Sequence, residues 1–433
     1  MALVRPIGKA TKIACFEKEI TEGVYVNPTK EYPFKSCDVK KTMKTEEDAS
    51  NIGEVFTTDL ITMGYDVTGN IEMNVYPETV KNILYFTLGK IDETTFNAIK
   101  GVLTIKYIGT QQGCRYSVYD NAGDLSLRVE TYNGATWSAL FDIVIETLTL
   151  AQIKIAIEGV TTDLLVYVEG VGVGSDLEMV SEKVIKSDSD NVLGLLFAYK
   201  LSSSKKSKRV WGSNSVLDGI PSFSMLVDKL YGANKCFGYA GCKINTLSLS
   251  LAVKTFVTAS LSLRAKEEYN DKTDTSTDFT MTNPFVTNNS KIVLNGVEFS
   301  DIKDLKLDIN NNMYIDESVG VNTYNSQDRQ GATINISGSA NLTIEDGNRQ
   351  VTQVLNDNYI NNAPIDILII LNSNLKIEDD IYNKVYIYLS KVKLSDGTTS
   401  IGGAERLTLS FSGQAVKCSL TDRHIDVYLN DKT

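Results

Sequence analysis

A single histidine, His424, is the only imidazole this chain can bring to acid–base or metal chemistry. That excludes catalytic schemes built on two imidazoles and every His-rich metal site. His424 sits in Thr-Asp-Arg-His-Ile-Asp-Val-Tyr, which reads as an alternating C-terminal strand, and a surface position is the simpler assignment. The six cysteines (Cys15, Cys37, Cys114, Cys236, Cys242, Cys418) are scattered. Only Cys236 and Cys242 are close, and their spacing fits neither a CxxC redox pair nor a zinc knuckle. Asp308-Ile-Asn-Asn-Asn312 with Asp316 matches the start of an EF-hand loop, but Met313 stands where the turn glycine belongs and Val319 where the bidentate Glu belongs. An Asx-rich turn is the expectation there. Gly170-Val-Gly-Val-Gly174 follows an apolar strand as a dinucleotide loop would, yet Ser175 replaces the third glycine and no βαβ pattern surrounds it. Asp379-Asp380 and Glu46-Glu47-Asp48 lie in polar stretches and read as solvated surface. Lys205 to Arg209 could hold phosphate, but reads as a solvated tether behind an acidic segment. No nucleophile, acid–base pair, metal site or cofactor site emerges, and an enzyme is not expected.

The elements that position these residues follow from composition and pattern. The chain has 433 residues, 42% hydrophobic and 22% charged, with 30 Gly and 7 Pro, which is globular composition sufficient for several cores. Its net charge of −11 argues against a general nucleic-acid-binding surface, because phosphate affinity needs clustered cations. No run approaches the roughly 18 apolar residues of a membrane span. Met1 to Thr21 lacks an apolar core and a small-residue cleavage site, so cytoplasmic synthesis with reduced thiols is the expectation.

Period-two alternation dominates. Val67, Ile71, Met73 and Val75 fall on one face of a strand, and Asn70, Glu72 and Asn74 on the other. Leu247 to Leu251, Val257 to Leu263 and Leu407 to Ser412 alternate in the same way. A helix is predicted from Pro77 to Leu88, with Pro in the first turn and Gly89 ending it. These elements recur. Val67 to Val75 matches Ile336 to Ile344 in polarity, with Gly69 facing Gly338, and Val80, Ile83 and Leu84 match Val351, Val354 and Leu355. Pro221 to Asp228 matches Pro364 to Leu371, and Cys242 to Leu263 matches Lys384 to Ser412. Recurrence of several elements in one order points to an internal duplication.

The duplication exposes an insertion. Between helix and next strand the second copy has 8 residues (Asn356 to Ala363), whereas the first has 132 (Gly89 to Ile220). A connection that long should be folded. It contains strand-like runs, and residues 91–200 carry 15 acidic against 8 basic side chains. The division expected is 1–90 for the start of the first repeat, 91–205 for a β-rich insert, 206–270 for the rest of that repeat, and 271–433 for the second repeat with a C-terminal extension. The fold class expected is all-β, with one short helix per repeat.

The arm from Pro28 to Phe34, the polar stretch Lys40 to Asp59, the Gly-Tyr-Asp-Val-Thr-Gly-Asn-Ile-Glu-Met run and the helix ending at Gly89 together resemble a bacteriophage tail tube protein. Gly241 to Leu251 with Val257 to Leu263, and Val293 to Phe299 with Leu305 to Asn312, are similar to the same family. The resemblance covers both repeats and not the insert, whose Ile105 to Gly113 stretch weakly resembles the outer sandwich of tail sheath proteins. It implies β-sandwich or barrel units assembled into stacked rings around a hollow tube, in the virion, after assembly in the host cytoplasm. Two units per chain imply homo-trimeric, pseudo-hexameric rings, with homo-hexamers as the alternative. The partners implied are copies of the chain, then tape measure, tail terminator and distal tail proteins, with phage DNA in transit, and no membrane or cofactor. The competing reading is a tail-associated adhesin or carbohydrate-binding β-sandwich protein.

On this reading a wet, cation-poor face suits a DNA channel. The expected lining is Asn70, Glu72, Asn74, Ser248, Ser250, Ser260, Ser262, Asn341, Thr343, Thr408, Ser410 and Ser412. Ile71, Met73, Leu249, Leu261, Leu342, Leu409 and Phe411 are expected to pack beneath it. Two polar loops are expected to order against the next ring, one carrying Lys40, Glu46, Asp48 and Asp59, the other Asn310, Asn312, Asp316 and Arg329.

Overall fold

The computed structural model describes residues 11–47, 60–97, 99–188, 190–199, 206–212, 219–228, 236–280, 282–299, 302–315, 327–329, 331–341, 349–378, 381–397, 399–400 and 408–431. Strands β1 (Lys12–Lys18), β2 (Ser36–Cys37), β3 (Lys40–Glu47) and β4 (Leu60–Asn74) lead into helix α1 (Pro77–Leu88) and β5 (Gly89–Asn97). Next come β6 (Ile99–Tyr107), β7 (Gly113–Asn121), β8 (Asp124–Tyr132), β9 (Trp137–Val144), α2 (Leu150–Val160), β10 (Leu164–Gly170), β11 (Val180–Lys186) and β12 (Gly194–Tyr199). The chain returns through β13 (Lys206–Gly212), β14 (Phe223–Asp228), β15 (Cys236–Ala252), β16 (Thr258–Ala265) and β17 (Glu267–Lys272). β18 (Lys291–Leu294), β19 (Val297–Glu298), β20 (Ile302–Asn310), β21 (Met313–Ile315), β22 (Gln327–Arg329) and β23 (Thr333–Asn341) precede α3 (Arg349–Ile360). The last strands are β24 (Ile365–Glu378), β25 (Ile381–Asp396), β26 (Thr399–Ser400), β27 (Thr408–Ala415) and β28 (Asp426–Asp431). The all-β class read from the alternation is the class observed.

Helix α1 forms where the apolar spacing places it. Pro77 opens it, and Gly89 closes it at φ 94°, its N–H donating to the Tyr85 carbonyl. Val80, Ile83 and Leu84 are buried in one apolar cluster with Ile71, Met73, Leu249 and Leu261. Leu355 of α3, Leu409 and Phe411 belong to the same cluster, so one core runs through both halves of the chain. The pairings also match: β14 with β15, β15 with β16 and β16 with β4 in the first series correspond to β24 with β25, β25 with β27 and β27 with β23 in the second.

The span from β6 to β12 has its own sheets, β10–β6–β12 and β11–β7–β8–β9, around a second apolar cluster that includes Leu103, Tyr116, Ile153 and Ile157. Helix α2 within it was missed by the sequence reading, although Thr149 and Gln152 form a capping box at its start. Lys205 to Arg209 is not a tether. Lys206–Gly212 is strand β13, paired on one side with β5 and on the other with β28.

This span is bound to the second series of strands by a dry, charged seam. Ile99, Val102, Tyr167, Leu193, Leu195 and Phe197 share a buried cluster with Val293, Leu368, Ile370, Tyr386 and Tyr388. Among the described residues three ion pairs cross it: Lys106 with Asp366, Lys384 with Glu169 at 2.7 Å, and Lys391 with Asp190. Lys106 also donates to the Asn191 carbonyl at 2.9 Å, and Asp190 accepts the Ser419 N–H at 3.0 Å.

Candidate functional site

The strands with Ser, Thr and Asn on one face are brought side by side. Antiparallel ladders join them in the order β4–β16–β15–β20–β23–β27. Strands β2 and β3 flank β4 at one end, and the last residues of β25 with β26 flank β27 at the other. The register places polar side chains in rows across the sheet. One row reads Asn74, Thr258, Ser250, Lys306, Ser337, Ser412. The next reads Glu72, Ser260, Ser248, Asp308, Asn335, Gln414, and a third Asn70, Ser262, Thr246, Asn310, Thr333. Ser410 pairs with Ser339, and Thr408 with Asn341, on the same face. Because side chains alternate along each strand, the intervening rows point the other way. Ile71, Met73, Leu249, Leu261, Leu409 and Phe411 are all buried there.

The expected polar residues are thus gathered on one face, except Thr343, which lies outside the described residues, as does Leu342 among the expected core residues. The reading missed Thr246, Thr258, Lys306, Asp308, Asn335, Ser337, Ser339 and Gln414, which complete that face. Leu305, Leu307 and Ile309 alternate with Lys306 and Asp308, so the signal for β20 was present. Charges on the face are mixed. Glu72, Asp304 and Asp308 lie among Lys306, Lys393 and Arg264, and Lys306 is paired with Asp308 at 2.9 Å. Such a surface stays hydrated without presenting a cation stripe to phosphate.

The two stretches expected as loops are hairpin strands where they are described. Lys40 and Glu46 lie on β3, which pairs with the first half of β4, because Lys40–Glu47 and Leu60–Thr68 satisfy each other's backbone groups. Asn310 ends β20, Asn312 occupies the turn after it, and Arg329 lies on β22 opposite Met313. Asp48, Asp59 and Asp316 lie outside the described residues. The run resembling an EF-hand is a turn: Asn310 Oδ1 accepts the Asn312 N–H at 2.8 Å, and the buried Asn311 amide donates to the carbonyls of Thr87 and Ile244. His424 is not on a strand but in the turn before β28, half-buried, its pKa lowered by burial and by Lys417. Among the described residues no cluster of His, Cys, Asp or Glu is placed to hold a metal ion, and no helix is long and apolar enough to cross a membrane.

The sequence model of one family, described as phage tail tube protein, matches residues 13–415. The chain belongs to the phage tail tube protein family. No curated protein matches it. Membership makes this a structural protein of a phage tail, and the match runs through both series of strands and the span between them.

In this tail tube protein three carboxylates have displaced titration, one of them, Glu267, at the base of the β3–β4 hairpin. Burial pushes Glu267 up, but the Tyr65 hydroxyl and Lys41, 3.0 Å away, outweigh it and hold the carboxyl below its ordinary 4.5. Glu22 is likewise held below 4.5 despite burial, by Lys243 and Lys266, each at 2.8 Å. Asp190 lies below 3.8 despite burial, through Lys391 and Ser419. A depressed carboxyl stabilises the fold above its unfolded pKa and loses that contribution as pH falls through the folded value. Below about 4.5 these three carboxylates are therefore expected to lower the melting temperature as pH falls, adding to the loss that His424, its pKa lowered from 6.5 by burial, causes from about 6.5 downward. Differential scanning calorimetry across that range checks this, and a flat or rising melting temperature on acidification would contradict it.

Proposed function

We propose that this chain closes into rings that stack as the wall of a hollow tail tube, and that the polar face of the β4–β16–β15–β20–β23–β27 sheet lines the channel through which phage DNA reaches the host cell. The observation that carries this reading is the ladder between β15 and β20, where Thr246 to Ala252 pair with Asn310 to Asp304. It joins the edge of the first series in this sheet, β15, to the edge of the second, β20. The same join between β25–β26 of one chain and β2–β3 of the next turns two open edges into an assembly contact. Repeated, it closes a barrel without free edges.

Two series per chain make three chains the natural ring, with pseudo-sixfold symmetry, and six chains the alternative. Asn70, Glu72, Asn74, Ser248, Ser250, Ser260, Ser262, Asn341, Thr408, Ser410 and Ser412 face the channel and let DNA pass without specific binding. The division into 1–90, 91–205, 206–270 and 271–433 is retained, with the insert as an exterior decoration, since it covers the side of β24 and β25 away from the main core. Assembly takes place in the host cytoplasm, and the tube ends meet tape measure, tail terminator and distal tail proteins. Native mass spectrometry of purified rings tests the reading. Particles of three chains support it, six chains would require another role for the duplication, and a monomer under all conditions would overturn ring formation.

A further inference from the structure

The four-stranded sheet of the insert, β11–β7–β8–β9, buries one face on the second apolar cluster through Tyr116, Val118, Leu127, Val129 and Phe141. Alternation turns the residues between them to the other side. The register puts Tyr132 and Trp137 in one row with Gly113 at one end of that second face. Arg115 beside Glu130, then Arg128 beside Asp142, form the rows that follow, and Tyr119 lies opposite Ser126 at the far end. From Gly113 to Tyr119 along β7 is about 20 Å.

Guanidinium groups hold the aromatic rings of this face. Trp137 lies across β8 instead of standing up from the sheet, because Gly113 has no side chain: a β-carbon there would be 3.2 Å from Cη2 of the indole. The Arg115 guanidinium is 4.3 Å from the centre of the Trp137 ring, and the Tyr132 ring is 5.2 Å from it. Arg115 is fixed in turn by Glu130 at 2.8 Å and Glu182 at 2.7 Å. At the far end Arg128 lies 5.0 Å from the Tyr119 ring. Asp142 ties the two together, accepting from Arg128 Nε at 2.8 Å and from the Tyr119 hydroxyl at 2.7 Å. Trp137, Tyr132 and Tyr119 are half-buried, so each keeps part of its ring open to solvent in an orientation set before any ligand arrives.

Charge and texture select the ligand. Arg115, Arg128, Glu130 and Asp142 neutralise one another in pairs, and the acidic excess of the insert, 15 against 8 over residues 91–200, repels a polyanion. The charged rows between the rings interrupt any apolar patch, so the face offers a protein partner no core to bury. A neutral sugar chain suits both properties: the C–H face of a pyranose ring stacks on an indole or phenol ring, and its hydroxyls bond to the carboxylates between. Ser126, fully buried in the row with Tyr119, has a hydroxyl without a partner, so one polar group of the face is still unused. We propose that this face binds a neutral cell-surface polysaccharide, with Trp137 and Tyr119 as stacking platforms and Glu130 and Asp142 as acceptors for sugar hydroxyls. This rests on the exterior placement of the insert proposed above, and gives the insert a ligand.

The test applies the unassembled chain and assembled tubes to an array of neutral hexose and N-acetylhexosamine oligosaccharides, with heparin and hyaluronan as anionic members. Neutral members are expected to retain both forms. Trp137→Ala is expected to weaken that retention about tenfold or more, as loss of an aromatic anchor does, with ring mass and melting temperature unchanged. Gly113→Leu, which tilts the indole off the sheet, is expected to act in the same direction, and Lys154→Ala on α2 to have no effect. No retention, retention by anionic members alone, or neutral retention that survives Trp137→Ala would overturn the site and leave the ring reading standing. Retention by the free chain that is lost in tubes would sustain the site and overturn the exterior placement of the insert. Retention by a chain that forms no rings would sustain the site and overturn the ring reading.

Discussion

Lys106→Met is expected to destabilise the folded chain by about 3–5 kcal/mol, the cost of stripping a buried ion pair of one partner. Asp366 is fully buried, and one of its carboxylate oxygens, Oδ1, has no hydrogen-bond partner, so Lys106 supplies its principal compensation. Burial already pushes the Asp366 pKa up against the pull of Lys106. Removing the ammonium pushes it further. A raised carboxyl contributes stability that is full below its unfolded pKa and lost as pH rises through the folded value. The deficit of Lys106→Met relative to the unmodified chain should therefore be small near pH 4 and full at neutral pH. Lys106→Met with Asp366→Leu should recover most of the loss, because an apolar pair avoids the desolvation cost altogether. Urea denaturation at both pH values decides it. A deficit below about 1 kcal/mol at neutral pH would mean that the pair is solvated and the seam open. By the same physics, excising the insert would uncover Leu368, Ile370, Tyr386 and Tyr388 and leave Asp366, Lys384 and Lys391 without their partners, so the shortened chain is expected to aggregate.

Gly69→Val is expected to abolish assembly and to cost several kcal/mol of stability, and Gly338→Val to do the same at the matching position. A β-carbon on Gly69 would stand 2.4 Å from the Cα of Val39, and one on Gly338 would stand 2.6 Å from the carbonyl oxygen of Asp304. Both obstacles are backbone, so relief requires the neighbouring strand to move away. Overpacking of this kind costs about 1–3 kcal/mol where side chains can adjust, and more where they cannot. At Gly69 the displaced segment, Val39 between β2 and β3, belongs to the edge proposed to close the ring, so assembly should fail before folding does. Calorimetry and electron microscopy of the two variants check this. Tubes of normal appearance from Gly69→Val would show that the β2–β3 edge is dispensable.

The two glycines also show what was legible in the sequence. Their match in flanking alternation, with the helices after them, placed β4, α1, β23 and α3, because half-buried strands and amphipathic helices write their faces into local periodicity. Lys206–Gly212 was not legible as a strand. Its basic residues look solvated in isolation, and only pairing with β5 and β28 makes them β-structure. The seam under the insert was hidden for the same reason. Lys106 and Asp366 are 260 residues apart, and Lys384 and Glu169 are 215 apart, so no local pattern links them. Helix α2 differs: Thr149, Gln152, Ile153 and Ile157 carried its signal, but a neighbourhood of strands masked it. The polar face was half read, since Ser and Thr alternation marks single strands while the order of strands comes only from their pairing.

The most direct test of the central claim is an electron cryomicroscopy reconstruction of the assembled chain. The account predicts a hollow tube of three-chain rings with Ser248, Ser250, Ser260 and Ser262 facing the channel, and β25–β26 paired with β2–β3 of the next chain. A tube with that face turned outward, or rings joined through other edges, would contradict it.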